Sequence, residues 1–245
     1  MFDILDNIRD AWNENRFVFL LNTKGEHEIV TAVLPSQLFQ YAHFQRLREF
    51  QTTDPSVTLT YQFCKTLELP YMNTIFRAVS SRYPIVDNLL PYQSGASISE
   101  SAYSLSVDHI STEEGSSYKE MEITIQSIGD LVDRANSELK MNEVRKEFGS
   151  TFRIPGHVRL IRSSLGGMRQ KISTTELSLA LCEVAKFSTS TVNADLIDVK
   201  SGNFLNHNKG LSLAEASGIA TIDAKTVIDL WRSIFKVPKN ELESM

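Results

Sequence analysis

Apolar residues recur along the chain with two periods, and the alternation between them sets out the expected elements. Phe2, Leu5, Ile8 and Trp12 fall on one face of a helix over residues 2–15, with acids opposite. The apolar run F-V-F-L-L within residues 16–21 and a second run over 29–34 read as strands, separated by a polar loop from Asn22 to Glu28. Residues 35–50 carry Leu38, Phe39, Ala42, Phe44 and Leu47 between polar positions, which predicts a helix with Pro35 in its first turn. Strict alternation predicts strands over 57–63 and 102–109. Between them, the prolines, Gly95 and serines of residues 73–101 predict an irregular excursion, with an insertion over about 76–101.

The second half reads as helices over 122–132 and 135–148, then a turn at Pro155-Gly156 and a short strand over 158–162. Gly166-Gly167 ends that strand. Ser173 and Glu176 have capping-box spacing ahead of the helical run to residue 187. A strand over 191–198, a short helix over 213–217, a strand at 221–222 and a closing helix over 223–235 complete the pattern. At 245 residues, these elements predict one α/β domain of α+β type spanning 1–245, with a central mixed β-sheet flanked by helices.

Composition narrows the classes of function. A net charge of −5 and the lack of a long Lys/Arg run speak against a nucleic-acid partner. No apolar run reaches the length of a membrane span, and M-F-D-I-L-D-N-I-R-D lacks the basic start and apolar core of a secretory signal. Cys64 and Cys182 are too few for a disulfide framework and lack metal-ligand spacing, so buried thiols and a cytoplasmic location are expected.

Candidate chemistry gathers between Phe152 and Glu176. Arg153, His157, Lys171, Ser173, Thr174 and Thr175 lie close in sequence, and a helix start with three hydroxyls and a lysine can cradle a phosphate. The same residues also suit an ordinary capped helix with a solvated lysine. At the tip of the first hairpin, Glu26 and Glu28 stand two apart on an extended segment and would point the same way. A solvent-exposed charged tip is the competing reading there.

The run F-R-I-P-G-H-V-R-L-I-R-S-S-L-G-G resembles the F-R/N-R-P-G-H-V-x-P-L-R-A-x-x-G-G segment of 3,4-dihydroxy-2-butanone 4-phosphate synthases. The resemblance continues. Lys171 to Glu176 stands where the family has R-x-G-H-T-E, and Glu26-His27-Glu28 resembles the E-N-E core of its acidic loop. A-Y-S-L-S-V-D resembles its F-T-V-S-V-D strand, and Asp195 takes the place of a glutamate that acts on the substrate. In the acidic loop, however, the upstream acids are Asn22 and Thr23, and the arginine is Gly25. The family's metal-binding histidine is Thr174, and the threonine pair of its substrate-contacting loop is Glu113-Glu114.

The resemblance implies a lyase acting on ribulose 5-phosphate, releasing formate and making the four-carbon precursor of riboflavin. It implies Glu26 on Mg²⁺ or Mn²⁺, held more weakly for want of the histidine, and His157, Asp195 and Glu28 in catalysis. It implies Lys171, Ser173, Thr174, Thr175 and Arg153 on the substrate and its phosphate. It also implies a homodimer with sites at the subunit boundary and His157 given by the partner chain. The departures leave open a catalytically silent homologue that binds a sugar phosphate, or a regulatory or interaction protein.

Overall fold

The computed structural model describes residues 2–22, 28–90, 102–137 and 139–238. Helix α1 (Phe2–Asn13) leads into strands β1 (Val18–Asn22) and β2 (Ile29–Pro35), followed by α2 (Tyr41–Phe50) and β3 (Ser56–Leu59). Three helices come next: α3 (Tyr61–Thr66), α4 (Met72–Ser80) and α5 (Pro84–Leu89). Strand β4 (Tyr103–His109) precedes α6 (Tyr118–Ser137) and α7 (Met141–Thr151), and β5 (Phe152–Arg162) follows. The chain then runs through α8 (Thr174–Ala185), β6 (Ser190–Asp195), β7 (Ile197–Asp198) and β8 (Asn203–Phe204). It ends in α9 (His207–Ser217), β9 (Ala220–Asp223) and α10 (Ala224–Phe235).

The main sheet has the order β4-β5-β3-β6-β2-β1-β9. Pairing is antiparallel except for β3 with β5 and β1 with β9, so the sheet is mixed as expected. Alternate strand residues face opposite sides. Thr31, Thr58 and Asn193 turn towards α8, where Asn193 reaches the Ser178 hydroxyl, and α1 and α10 lie beside α8 in that layer. The other face is covered by α6, by α2 with Phe50 edge-on to Phe19, and by α9 with Gly210 against Val30. Trp12, Phe19 and Phe39 are fully buried, and the Trp12 indole donates to the Val33 carbonyl at 3.3 Å.

Four expectations are corrected. Pro35 closes β2 instead of opening a helix: a 3₁₀ turn over Ser36–Leu38 intervenes and α2 starts at Tyr41. The alternation over 57–63 is a strand only to Leu59, because the Thr60 hydroxyl accepts the Phe63 N–H and starts α3. The described part of the excursion is helical, since Pro84 sits in the first turn of α5, where its missing N–H costs nothing. The rest of it, 91–101, lies outside the described residues.

Lastly, Pro155-Gly156 makes no chain-reversing turn. It lies inside β5, where Val158 pairs with Val107 and Arg153 with Asp108, so residues 154–157 bulge from the ladder. Gly156 is needed there, because a Cβ would stand 2.0 Å from the Val107 carbonyl carbon.

Helix α6 meets the 3₁₀ turn as closely. A Cβ on Gly129 would fall 2.4 Å from the Gln37 nitrogen, whereas one on Gly149 in α7 meets nothing within 4 Å. Alanine improves helix propensity by up to about 1 kcal/mol at either position, and overpacking costs about 1–3 kcal/mol. Gly129→Ala is therefore expected to lower the urea unfolding midpoint by the equivalent of about 1–2 kcal/mol. Gly149→Ala should leave the midpoint unchanged or raise it.

Candidate active site

The carboxyl ends of β1 and β6, the amino ends of β2 and β3, and the start of α8 meet at one end of the sheet. Asp195 is the last residue of β6 and pairs with Thr31 of β2. The Thr31 hydroxyl donates to Asp195 Oδ1 at 2.6 Å. The strap 52–55, which leads into β3, crosses here: the Asp195 N–H donates to Thr53 Oγ1 at 3.0 Å and the Thr53 N–H to the Asp195 carbonyl at 2.8 Å. Burial pushes the Asp195 carboxyl above its ordinary value, against the opposing pull of the Thr31 hydroxyl.

Thr174 opens α8, and the amide of Asn22 donates to its hydroxyl at 3.4 Å. Behind it runs a buried polar seam, where the Asn193 amide donates to Ser178 Oγ at 2.9 Å and Thr58 Oγ1 at 3.1 Å. The expected capping box does not form. Ser173 occupies the cap position, but its hydroxyl donates to Glu176 Oε2 at 2.5 Å while Glu176 Oε1 accepts the Ser164 N–H at 2.9 Å. Buried Glu176 thus ties the 163–170 loop to the helix. Thr174, Thr175 and Lys171 are partly exposed at the helix start.

His157 lies on the other side of the strap. It lines a cavity of about 400 Å³ with Thr52, Thr53, Asp54, Arg48, Arg159, Tyr118 and apolar groups of α2. Its side chain is 49% exposed, its backbone N–H donates to Asp108 Oδ1 at 2.8 Å, and its Nδ1 lies 3.0 Å from Asp108 Oδ2. His157 and Asp195 therefore adjoin one strap, and among the described hydrogen bonds none joins them directly. Arg153 donates to the Glu113 carbonyl at 2.7 Å. Glu28 Oε2 accepts the His207 N–H at the start of α9 at 3.0 Å, and α9 covers the face opposite α8. Glu26 and His27 lie outside the described residues.

Glu120 gathers the 113–117 loop. Its carboxylate accepts the Ser117 hydroxyl at 2.8 Å and the N–H groups of Glu113, Glu114 and Ser117, and these bonds, Ser117's first, hold its pKa down at about 2. Sequence reasoning assigned no role to Thr31, Thr53, Asn193 or Asp108. The signal for Thr31 was a lone polar residue inside the run I-V-T-A-V-L, and that for Asn193 was its place among the alternating polar residues of T-V-N-A-D. Only pairing registers across the sheet reveal what those residues meet.

The mixed sheet with helices on both faces, and a polar cleft at a sheet end beside a helix start, define an α/β domain with its site outside the strand ends. More narrowly, the chain belongs to the 3,4-dihydroxy-2-butanone 4-phosphate synthase family, whose model matches residues 6–230. It is 32% identical to the 3,4-dihydroxy-2-butanone 4-phosphate synthase of Archaeoglobus fulgidus over 70% of each chain. It is 26% identical to that of Methanosarcina mazei over 91% of this chain and 88% of the other. Among solved structures, it resembles a 3,4-dihydroxy-2-butanone 4-phosphate synthase in complex with two magnesium ions, at TM-score 0.69 and 18% identity over 94% and 96% of the two chains. The Candida albicans synthase matches at TM-score 0.65 and 17% identity over 92% and 95%. At these identities the structural likeness establishes the fold.

The tuning of Asp195 has a measurable consequence. A carboxyl whose folded-state pKa is raised above its ordinary 3.8 contributes stability that is present in full below that value and lost as pH rises through the folded value. Asparagine keeps an acceptor for the Thr31 hydroxyl and cannot ionise. The melting temperature of Asp195→Asn relative to the unaltered protein should therefore rise between pH 3.5 and pH 7, on the order of these limits. Parallel melting curves across that range would contradict the burial effect.

Proposed function

We propose that the chain is a 3,4-dihydroxy-2-butanone 4-phosphate synthase that acts on ribulose 5-phosphate, releases formate and supplies the four-carbon precursor of riboflavin. The observation that carries this reading is the convergence of Asp195, Thr31, Asn22 and Thr174 on one sheet end in a member of that family. Enolising a sugar phosphate requires groups that take and return protons near neutral pH. Asp195 suits that work because burial favours its protonated form, and Thr31 supports its charged form once the proton has left. His157 is the second proton carrier.

The phosphate would meet the free N–H groups at the start of α8, with Lys171, Thr174 and Thr175 around it. The hydroxyl of Ser173 serves Glu176 and the guanidinium of Arg153 serves Glu113, so both contribute by shaping the loops about the site. Glu28, bonded to the start of α9, has a weaker case for catalysis than Asp195. The donors at this sheet end are oxygens of amide, hydroxyl and carboxylate, a hard set that fits Mg²⁺ or Mn²⁺ with several waters retained. Glu26 would hold the ion, with Thr174 where the family carries histidine, and the bound ion would polarise vicinal substrate oxygens.

Incubation with ribulose 5-phosphate and Mg²⁺ should release formate. Asp195→Asn and His157→Ala should each lower kcat by ~10²–10⁴-fold. Phosphate esters that stabilise the protein without any formate release would favour the silent, sugar-phosphate-binding homologue. Such stabilisation amounts to about 2.7 kcal/mol at a hundred times the dissociation constant.

A homodimer completes the proposal, with His157 serving the partner's site. Ile154 of β5 and Ile110, just past the end of β4, are exposed on the β4–β5 arm that carries His157, which suits burial against a second copy. Sedimentation should then give twice 27.6 kDa. If His157 acts across the dimer, unfolding and refolding an equal mixture of His157→Ala and Asp195→Asn should restore about a quarter of full activity, because half the dimers are hybrids with one intact site. Absence of recovery would place both groups in the same chain's site.

A further inference from the structure

Two arginines line the cavity of about 400 Å³ beside His157, Arg48 of α2 and Arg159 of β5, and the proposed reaction uses neither. The acids near them are committed elsewhere or held loosely. Glu49, next to Arg48 on α2, pairs with Arg46 at 2.5 Å, and Glu120 gathers the 113–117 loop. Asp54 lines the cavity too, but its side chain is 93% exposed and its carboxylate stands 3.9 Å from the Arg159 guanidinium, which donates instead to the Asp54 carbonyl at 2.8 Å. Arg48 lies over the Tyr118 ring at 5.1 Å, and Tyr118 is stacked on Phe44 at 4.3 Å. Among the described residues Arg48 enters no ion pair. Arg159 also fills the open position of the motif P-G-H-V-x-P-L-R, so the family resemblance gives it no task.

Two guanidinium groups facing one cavity repel each other and make its potential positive, although the chain as a whole carries −5. An oxyanion between them relieves that repulsion, and a guanidinium grips a carboxylate or phosphate through two parallel N–H bonds. The Ser116 hydroxyl lines the same cavity and can donate to a remaining oxygen, while Phe44, Leu47 and Met121 supply apolar wall. The volume is that of a small-molecule site. We propose that this cavity is a second oxyanion site, across the strap 52–55 from Asp195, in which Arg48 and Arg159 receive a carboxylate or phosphate group. The carboxylate would be formate leaving the reaction, and the phosphate a second anionic group on a substrate or the free ion. The site stands on the geometry of the cavity, and only the choice of formate as its occupant rests on the synthase reading.

The test is an NMR titration of full-length, ¹⁵N-histidine-labelled protein with sodium formate and, separately, inorganic phosphate, each against sodium chloride at equal ionic strength and fixed pH. The His157 ring signals, assigned with His157→Ala, should move saturably with formate or phosphate and not with chloride. Arg48→Met and Arg159→Met keep most of the side-chain stem and remove the charge, and each should raise the dissociation constant of that anion by ~10–100-fold. Lys171→Met, at the start of α8, should leave the His157 response in place. Saturation at lower formate identifies a carboxylate site, and saturation at lower phosphate a phosphate site. No response beyond that of chloride overturns the proposal without any variant, so a poorly folding variant does not shield it. A response that either arginine variant leaves unchanged, or that Lys171→Met removes, also overturns it, because the ion is then held elsewhere. Formate release from ribulose 5-phosphate is scored on its own. A protein that binds the anion without releasing formate keeps the site and loses the synthase reading, and one that releases formate without the anion response does the reverse.

Discussion

The antiparallel pairing of β2 with β6 is the contact on which the rest of the molecule depends. Thr31 and Asp195 lie 164 residues apart and become neighbours only through that register. A slip of one residue would turn the slipped strand's side chain to the opposite face of the sheet and separate the pair. Further polar bonds hold the register. Asn193 of β6 bonds Thr58 of β3 and Ser178 of α8, and Ser178 meets Thr191 at 3.1 Å. Each such group left unpaired in the interior would cost about 1–3 kcal/mol, so a slipped sheet loses several of these bonds together. The buried seam thereby specifies the alignment that the apolar residues alone would leave loosely defined.

Carboxylates near the cleft divide into those that build it and those that face it. Glu176 joins the 163–170 loop to α8, Glu120 collects the amides of the 113–117 loop, and Glu28 holds the start of α9. All three sit beside backbone N–H groups that have no partner within their own helix or turn, and a carboxylate is the strongest acceptor available to such groups. Asp195 differs because a hydroxyl and burial surround it. Chemistry suits the acid whose charge is least well satisfied, since that acid gives up least when it exchanges a proton.

Much of the fold was legible because it follows from periodicity. The apolar runs of β1 and β2, the alternation of β4 and the faces of α1 and α10 all declare themselves within a few residues. Where proline was taken as punctuation, the reading failed, since proline ends a strand at Pro35, opens a helix at Pro84 and sits within a bulge at Pro155. What separates these outcomes is whether a neighbouring strand or helix needs the missing N–H, and that is a property of the pairing. The site was half legible for the same reason. Residues inside one motif, from Arg153 to Thr175, could be gathered from the sequence, yet Arg153 turns to Glu113 and Ser173 to Glu176, while Thr31 arrives from a distant strand and Thr53 from the strap.

The strap 52–55 explains how Asp195 and His157, the two proton carriers proposed above, can stand beside one another. On one flank it bonds the backbone of Asp195 twice, closing the buried environment that raises the carboxyl's affinity for a proton. On the other flank Thr52, Thr53 and Asp54 line the open cavity in which the half-exposed His157 stands against Asp108. Direct contact between Asp195 and His157 would couple their titrations, so that neither could exchange a proton with a substrate independently of the other. With a peptide strap between them, each group keeps its own hydrogen-bond partner, Thr31 for Asp195 and Asp108 for His157. The geometry of one short loop thus keeps the two side chains apart while holding both at one end of the sheet.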